Sequence, residues 1–435
     1  MSPHVQEKSL EMLKKCSKNT YETVILGLPV RHKNSLYNCV AIVQEGKIQG
    51  VVPKQNMSTD GVHYEPRWFR AWTKGKVSSV QIGDEKIPFG DLIFELEDGI
   101  RFGFEICEDA WVAERTGASL SKRGVDIIFN PSASHFSFGK HEIRKDFVRE
   151  GSRAFGCAYV YTNLVGNESG KLIFDGASLI ASEGKILQDG PRFSFKDSTI
   201  NFSDIDIDSL RVGRMEREGF VSDEEDQEDP RSIISVKGKS KDRASEMRGN
   251  LIESQKKEDE FEKALTLGLF DYMRKSGSKG FVISLSGGAD SSACAVLVAS
   301  MIKRAKEELR DYEILKKTGI EAENFTIENL LTTAYQGTRN SSDTTLKAAE
   351  AVAKDIGCKH LHLDVDALVE AYKETVGDAL GINWDWNEHD VTLQNIQARV
   401  RSPSIWMIAN VEHKILLATS NRSEAGNRSL FYDWE

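Results

Sequence analysis

Cysteine is scarce in this sequence, and no two cysteines stand in the CxxC spacing of a metal or redox site. Single thiols spread over 435 residues exclude a disulfide framework and the common zinc-binding patterns. They predict reduced thiols in the cytoplasm. The six are Cys16, Cys39, Cys107, Cys157, Cys294 and Cys358.

Long apolar runs and an excess of basic residues are also missing. No apolar run is long enough to cross a membrane, and the N-terminal stretch MSPHVQEKSLEMLKKC lacks the apolar centre of a signal peptide. The net charge is -10, which argues against nucleic acid or an anionic membrane as a general partner. With 40% hydrophobic and 29% charged residues, the composition is that of a globular protein. We therefore expect neither nucleic acid nor a membrane among its partners.

Two regions with different patterns are joined by a charged stretch. Residues 21–185 carry short strand patterns and a helix pattern over 141–156, which is typical of a layered α/β sandwich. The stretch 216–255 contains the acidic block SDEEDQEDP followed by basic residues, and it predicts a solvated linker because like charges repel one another. From residue 256 strands and helices alternate, which predicts a doubly wound parallel sheet. The expected domains are 1–215 and 256–435.

A glycine-rich stretch, LSGGADSS at 285–292, lies between a predicted strand and a predicted helix. Gly287 and Gly288 allow the backbone to approach a ligand closely, and the free N–H groups of the following helix favour an anion. Without a GxxxxGK[ST] pattern, the stretch is not a Walker loop. Asp290 would repel a phosphate alone, but it suits Mg²⁺, which prefers carboxylate oxygen. The pattern therefore predicts a phosphate loop with hydroxyl donors from Ser286, Ser291 and Ser292.

This loop resembles the pyrophosphate loop, SGGxDS, of adenine nucleotide alpha hydrolase-like enzymes that adenylate a substrate. Three further stretches resemble NAD⁺ synthetases in the same order: AYQGTRNSSDTT (334–345), TLQNIQARVR (392–401) and LLATSNRSE (416–424). The resemblance implies ATP and Mg²⁺ as cofactors and deamido-NAD⁺ as a substrate. It implies that Thr419 contacts ATP and that Glu424 lies at the metal and the dinucleotide. The residues that it places on deamido-NAD⁺ are Asn395 and Arg399, and an arginine fork binds phosphate oxygens in pairs.

Cys107 stands in an unfavourable local setting for a nucleophile. It lies between Glu105 and Glu108 in GFEICEDAW, and negative neighbours oppose formation of the reactive thiolate. Cys107 is therefore either an inert packed thiol or a nucleophile that a cation elsewhere in the chain activates.

Three stretches of the first region resemble the carbon–nitrogen hydrolase (nitrilase) superfamily, and more narrowly the glutaminase domain of glutamine-dependent NAD⁺ synthetases. They are VVPKQN (51–56), FEICEDAW (104–111) and NPSASHFSFGKHEIR (130–144). The resemblance implies an αββα sandwich and a Glu–Lys–Cys site, in which Cys107 is the nucleophile and Lys54 the cation that favours the thiolate. It also implies that Glu65 orients the lysine. The implied glutamine-binding residues are Ser134 and Lys140.

Parts of the family pattern are missing at both ends of the sequence. The triad glutamate lies on an early strand in the superfamily, and nothing before Thr23 matches it, since Glu7 and Glu11 fall in an amphipathic helix pattern. After TSNRSEA the sequence departs from the family pattern. We therefore expect the first domain to lack its first βα unit and the second to be truncated at its C-terminus. Without the glutamate base, glutamine hydrolysis by this chain is expected to be negligible.

The two resemblances together predict a carbon–nitrogen ligase that makes NAD⁺ from deamido-NAD⁺, ATP and glutamine. ATP activates the carboxylate as an adenylate, and ammonia released at Cys107 displaces AMP. The family implies a homo-oligomer and a sheltered path for ammonia. Two alternatives stay open: a different glutamine- or ammonia-dependent amidoligase with the same ATP loop, and a non-catalytic remnant that binds nucleotide.

Overall fold

The protein folds into two compact units in a computed structural model. The structure describes residues 8–9, 11, 15, 23–59, 61–168, 170, 172–216, 229–240 and 256–419. The first unit contains residues 1–165, 174–194 and 198–255. The second contains residues 166–173, 195–197 and 256–435. None of the helices within the described ranges is long and apolar enough to cross a membrane.

The first unit is built on two sheets. The smaller sheet has the order β1-β2-β3-β5-β4 and consists of β1 (Val24–His32), β2 (Ser35–Gln44), β3 (Lys47–Pro53), β4 (Val77–Ile82) and β5 (Glu85–Gly90). The larger sheet begins with β6 (Ile93–Glu95), β7 (Arg101–Phe104), β8 (Ile127–Ser132) and β9 (Ala158–Asn163). After the hairpin of β10 (Val165–Glu168) and β11 (Leu172–Asp175), it continues with β12 (Ser178–Ser182), β13 (Lys185–Asp189) and β14 (Ile233–Ser235). Its order is β13-β12-β9-β8-β7-β6-β14.

Alternating side chains hold the two sheets face to face. Val40 and Ile42 of β2 pack in one buried cluster with Phe94, Phe102 and Phe104 of the larger sheet. Successive strand residues point to opposite faces, so Cys39, Ala41 and Val43 pack in a separate cluster on the other face of the smaller sheet. The outer face of the larger sheet is covered by helices α1 (Thr116–Lys122) and α2 (Lys140–Ala154), and α3 (Ile207–Met215) follows later in the chain. The predicted layered sandwich is confirmed.

Part of the expected linker is a strand. Residues 233–235 of β14 pair in parallel with residues 93–95 of β6, at the edge of the larger sheet. Ile234 also packs against the buried cluster between the sheets. The linker prediction over 216–255 is therefore wrong for these residues, because composition averaged over the charged stretch hid a short apolar run, SIIS.

The second unit contains a fully parallel sheet with the order β17-β16-β15-β18, as the strand–helix alternation predicted. Its strands are β15 (Phe281–Ser284), β16 (Leu331–Gly337), β17 (Lys359–Asp364) and β18 (Ile415–Leu417). Its helices are α4 (Lys257–Ser276), α5 (Ala289–Glu308), α6 (Asp311–Thr318), α7 (Ile327–Leu330), α8 (Asp343–Ile356), α9 (Asp366–Leu380), α10 (Trp386–Arg399) and α11 (Arg401–Val411).

The strand order reverses at β15, because β16 and β17 extend to one side of it and β18 lies on the other. Open parallel sheets bind ligands at such a switch point, beyond the carboxyl ends of the strands. The glycine-rich loop 285–288 follows β15 directly and therefore lies at this point.

Candidate active site

A cavity of about 970 Å³ in the first unit brings together the residues predicted from four separate stretches of sequence. It opens where β3, β7 and β8 end, because chain segments that follow these strands supply its walls. The predicted residues that line it are Lys54, Glu65, Cys107, Ser134 and Lys140.

Cys107 lies on a strained turn at this cavity. It is the first residue of a short 3₁₀ turn, Cys107–Ala110, that follows β7, and its side chain is half-buried. Its backbone has a φ of 50°, in the left-handed region, which costs a residue other than glycine about 1–2 kcal/mol. Strain of this kind at a strand-to-helix turn is typical of a nucleophile that must be presented to a substrate.

Glu105, the acid that precedes this turn, has its charge compensated by hydrogen-bond donors of the protein interior. Glu105 is fully buried, and its carboxylate accepts hydrogen bonds from Arg115 Nη2 at 2.6 Å, Gly117 N at 2.8 Å and the Tyr159 hydroxyl at 2.5 Å. A carboxylate paired with a guanidinium and two further donors has most of its charge compensated. The unfavourable acid at position 105 is therefore a buried structural group, and Cys107 is not faced by its free charge.

Lys54, the cation that the resemblance implies for Cys107, lines the same cavity. It is 2% exposed, and its ammonium donates to Glu65 Oε2 at 2.5 Å. Glu65 also accepts from Asn38 Nδ2 at 2.6 Å and from the Ser58 backbone N–H at 2.9 Å. Three donors therefore hold the carboxylate in one orientation. That Glu65 orients the lysine stays a prediction. Asn38 comes from β2 and was not predicted from the sequence.

A second network, absent from the predictions, holds Ser134. Arg144 is fully buried, and its guanidinium donates to Asp175 Oδ2 at 2.6 Å, to the Ser134 carbonyl at 2.9 Å and to the Ser134 hydroxyl at 3.1 Å. Asn163 Oδ1 accepts from the Ser134 N–H at 2.9 Å. Burial opposes the charge of Asp175, but Arg144 and the other donors around it keep the pKa of that carboxyl below its usual value. Ser134 is thus bound on its backbone and side chain.

Replacing Arg144 with methionine should destabilise the first unit strongly. The change removes the guanidinium that is hydrogen-bonded to the buried Asp175 and leaves the more distant guanidinium of Arg192, at 3.6 Å. Breaking a buried ion pair costs about 3–5 kcal/mol. Urea denaturation should show this fall in the free energy of unfolding. On the same helix, Arg149→Met removes an ion pair whose side chains are both more than half exposed, and it should cost less than about 1 kcal/mol. Equal losses in the two variants would contradict the prediction.

A pair of histidines and a lysine connect three segments of the cavity wall. His63 Nε2 lies 2.9 Å from His135 Nδ1, and Lys140 Nζ lies 3.5 Å from His135 Nε2. An ammonium can only donate, so a hydrogen bond from Lys140 requires the tautomer of His135 whose Nδ1 donates to His63. His63 was not predicted, and its contact could not be read from sequence because the two histidines are 72 positions apart.

Asp109 is a further unpredicted residue, two positions after Cys107. It is 2% exposed, and its carboxylate accepts hydrogen bonds from Asn56 and Ile106, among other donors. Burial raises the pKa of Asp109 to about 7, although Asn56, Ile106 and the charge of Lys54 favour the carboxylate. The side chain faces the protein interior, so it belongs to the scaffold behind the cavity.

The predicted phosphate loop has the backbone that its glycines indicated. Gly287 has a φ of 81°, and a Cβ there would lie 2.3 Å from the Thr345 carbonyl oxygen. Ser291 is buried, and its hydroxyl accepts from the Ser286 N–H at 3.3 Å and donates to the Gly288 carbonyl at 3.2 Å. Ser292 also donates to Gly288, at 2.8 Å, so these two hydroxyls shape the loop itself.

The remaining predicted residues of the second unit lie on different elements. Asp290 is exposed in the first turn of α5. Asn395 and Arg399 are four positions apart on α10 and therefore share one helix face. Thr419 follows β18, which pairs with β15, so it comes from the same sheet edge as the loop. Glu424 lies outside the described residues. In the described part of the chain, no group of three or more acidic, histidine or cysteine side chains is placed to hold a metal ion.

A second cavity of about 300 Å³ lies beyond the carboxyl ends of β16 and β17. Arg339, Ser342 and Asp366 line it, and Arg339 Nη2 lies 2.5 Å from Asp366 Oδ2. The contact between Gly287 and Thr345 places this segment, AYQGTRNSSDTT, directly against the phosphate loop. The two quoted motifs therefore form one continuous surface.

Family models match both halves of the chain. A carbon-nitrogen hydrolase model matches residues 2–214, and an NAD synthase model matches residues 261–427. Both resemblances predicted from the motifs are confirmed.

Individual relatives combine the same two parts. The chain is 29% identical to a glutamine-dependent NAD(+) synthetase of Drosophila melanogaster, over 89% of this chain and 53% of that protein. It is also 29% identical to one of Homo sapiens, over 89% of this chain and 59% of that protein. The chain thus spans between half and three fifths of the length of these relatives.

Solved structures are similar over nearly the whole chain. A glutamine-dependent NAD(+) synthetase from Cytophaga hutchinsonii superposes with a TM-score of 0.80 at 40% identity, covering 97% of this chain and 66% of that one. A glutamine-dependent NAD+ synthetase from Acinetobacter baumannii in complex with ADP has a TM-score of 0.70 at 21% identity, covering 98% and 65% of the two chains. The second likeness shows the fold alone.

Proposed function

Because this chain belongs to the family of proteins that join a carbon–nitrogen hydrolase domain to an NAD synthase domain, we propose that it takes part in glutamine-dependent synthesis of NAD⁺. In this reaction the first unit releases ammonia from glutamine, and the second uses ATP to amidate deamido-NAD⁺. The observation that carries the proposal is the cavity that Cys107, on a strained turn, lines together with buried Lys54 and its part-buried partner Glu65.

The first half-reaction follows from the chemistry of these side chains. The Cys107 thiolate attacks the side-chain carbonyl carbon of glutamine, and the ammonium of Lys54 stabilises the negative charge that develops on the carbonyl oxygen. The carbon–nitrogen bond then breaks, and the nitrogen leaves as ammonia with the proton given up by the thiol. Water hydrolyses the resulting thioester to glutamate and restores Cys107. Ser134 and Lys140 bind the remainder of the glutamine in this proposal.

The second half-reaction is assigned to the phosphate loop and its surroundings. The loop and the N-terminus of α5 bind the phosphates of ATP with the help of Thr419, and a carboxylate oxygen of deamido-NAD⁺ attacks the α-phosphorus as pyrophosphate leaves. Ammonia then displaces AMP from the adenylate. Asn395, Arg399 and Glu424 bind deamido-NAD⁺ in this proposal. The structure of similar fold from Acinetobacter baumannii is a complex with ADP, which supports nucleotide binding by this fold.

Mg²⁺ fits the residues that the phosphate loop presents. Asp290 exposes a carboxylate beside a loop whose glycine leaves no room for a side chain, and hard cations prefer carboxylate oxygen. Asp290 and Glu424 would hold the ion, and the ion would neutralise phosphate charge when bound. A homo-oligomer in the cytoplasm, with no nucleic acid partner, belongs to the same proposal. The negative net charge and the scattered cysteines support the last two points.

The test of the proposed function compares two nitrogen donors. The chain is incubated with deamido-NAD⁺, ATP and Mg²⁺, and with either glutamine or ammonium chloride. We expect NAD⁺, AMP and pyrophosphate with both donors, and one glutamate for each NAD⁺ with glutamine. The cavity that Cys107, Lys54 and Glu65 line supports this result over the negligible hydrolysis that the sequence alone predicted. Glutamate release no faster than in Cys107→Ala would instead agree with the sequence-based prediction. AMP formation with another carboxylate in place of deamido-NAD⁺ would favour a different amidoligase. ATP binding without turnover from either donor would favour a non-catalytic nucleotide-binding protein.

Asparagine in place of Asp290 should uncouple ATP binding from Mg²⁺. The carboxylate repels phosphates unless a cation lies between them, whereas the neutral amide does not. Calorimetric titration of ATP, with and without Mg²⁺, should therefore show a strong Mg²⁺ dependence in the parent and a much weaker one in Asp290→Asn. Asp311→Asn provides the control, since Asp311 is an exposed acid in the first turn of the next helix, α6. The same Mg²⁺ dependence in parent and Asp290→Asn would contradict the assignment.

A further inference from the structure

The carboxylate of Asp109 is surrounded by hydrogen-bond donors from two separate chain segments. Its Oδ1 accepts from the backbone N–H groups of Gln55 at 3.2 Å and Asn56 at 2.7 Å, and from Asn56 Nδ2 at 3.0 Å. Its Oδ2 accepts from the Ile106 N–H at 3.1 Å. With 2% of its surface exposed, the side chain is committed to these four bonds.

These donors lie next to the two reacting side chains. Gln55 and Asn56 directly follow Lys54, and Ile106 directly precedes Cys107. One carboxylate therefore joins the turn that carries the cation to the turn that carries the nucleophile. The bond to Ile106 also closes the 3₁₀ turn in which Cys107 holds its left-handed backbone.

A directional connection is required here because the two turns belong to different sheets. Lys54 follows β3 of the smaller sheet, and Cys107 follows β7 of the larger one. The two sheets meet through apolar side chains such as Val40 and Phe104. Apolar packing is non-directional, so by itself it does not set the separation of two side chains at the sheet edges.

We propose that Asp109 is a positioning residue that sets the separation of Lys54 and Cys107 and thereby the reactivity of the thiol. The inference rests on the proposed function, in which these two side chains are the reacting pair. Glu65 orients the ammonium of Lys54, whereas Asp109 holds the backbone on which both residues stand. Glu65 thus acts on the side chain of Lys54, and Asp109 acts on the backbone that sets the distance from Lys54 to Cys107.

The experiment measures alkylation of Cys107 by iodoacetamide, followed by peptide mapping of the full chain, together with kcat and KM for glutamine hydrolysis. A misplacement of about 1 Å can cost roughly 100-fold in rate. We therefore expect Asp109→Ala to lower both the alkylation rate of Cys107 and kcat by about that factor, with a much smaller change in KM. Asp109→Asn keeps an oxygen for Gln55 and Asn56 but places an amide donor against the Ile106 N–H, so the link to the turn of Cys107 is lost. We expect its rate to lie between those of the parent and Asp109→Ala.

Two further variants separate positioning from loss of stability. Asp91→Ala removes another buried carboxylate of the same unit, one that binds Arg123 and the Gly75 N–H outside the cavity. It should lower the melting temperature and leave the alkylation rate unchanged. Asn56→Ala removes only the side-chain donor to Asp109 and should give a milder loss of the alkylation rate. It replaces Asp109→Ala as the test if that variant does not fold.

Three results are decisive. Parent-like alkylation and kcat in folded Asp109→Ala would overturn the inference and leave the proposed function standing, and so would an equal loss of rate in Asp91→Ala. The third result concerns Cys107 of the parent, which is compared with Cys294, a half-buried thiol on α5. If Cys107 is alkylated no faster than Cys294, and Lys54→Met leaves the alkylation rate of Cys107 unchanged, then its thiol is not activated. The proposed function then fails, and the inference fails with it.

Discussion

Cys107→Ala should abolish NAD⁺ formation from glutamine and leave NAD⁺ formation from ammonium unchanged. Removing a nucleophile that forms a covalent intermediate lowers kcat by roughly 10⁴- to 10⁶-fold in enzymes with comparable triads. The substitution changes no residue of the second unit, so adenylation there should continue when ammonia is supplied directly. Glutamate release and NAD⁺ formation, measured with each donor, separate the two effects.

The control for this prediction is a second cysteine at the same cavity. Cys39 also lines the cavity, but it is fully buried, and burial raises the pKa of its thiol well above the ordinary value. A thiol that stays protonated is a poor nucleophile. Cys39→Ala should therefore retain glutamine hydrolysis, with at most some loss of stability. If Cys39→Ala loses glutamine hydrolysis and Cys107→Ala retains it, then Cys39 is the nucleophile and the assignment to Cys107 is wrong.

Gly287→Val should abolish NAD⁺ formation from both nitrogen donors. Valine is strained at a φ of 81°, and its Cβ would lie 2.3 Å from the Thr345 carbonyl, so the loop has to move. Backbone strain of about 3 kcal/mol, if it is relieved only by distorting the loop, corresponds to a roughly 100-fold loss in ATP affinity. Calorimetric titration with ATP and Mg²⁺ should show this loss.

Gly277→Val is the matched control for the loop. Gly277 ends α4 with a φ of 70°, but a Cβ there has no atom within 4 Å. The backbone strain is similar, whereas the collision is absent and the residue lies away from the phosphate loop. We expect a modest loss of stability and parent-like ATP affinity. Equal losses of affinity in both variants would show that the collision at position 287 is not the cause of the loss.

Within the candidate site, the sequence identified the residues whose chemistry is visible over a few positions. Cys107 and Lys54 each stand in a short recognisable stretch, and the loop 285–292 contains its glycines, serines and acid together. Local patterns are reliable in such cases because a tight turn depends on neighbours along the chain. The alternation of strands and helices predicted both fold classes for the same reason.

The residues missed by sequence reasoning are those whose partners lie far away along the chain. From the sequence, Arg144 could equally have been a solvated helix arginine. Only the tertiary structure buries it and pairs it with Asp175 and the Ser134 carbonyl. Asp109 stands two positions from the nucleophile, yet its role depends on Asn56, which is 53 positions away. In the charged stretch, Ile234 joins β6 although its neighbours are mostly polar.

The sequence by itself determined which side chains are available for chemistry and which local turns present them. The tertiary structure alone decided which charges compensate one another: Glu105 is neutralised by Arg115, while Lys54 is held by Glu65 and Asn38 at the cavity. The physical reason is that electrostatic and hydrogen-bond energies depend on distance and burial in space. Neither distance nor burial follows from separation along the chain.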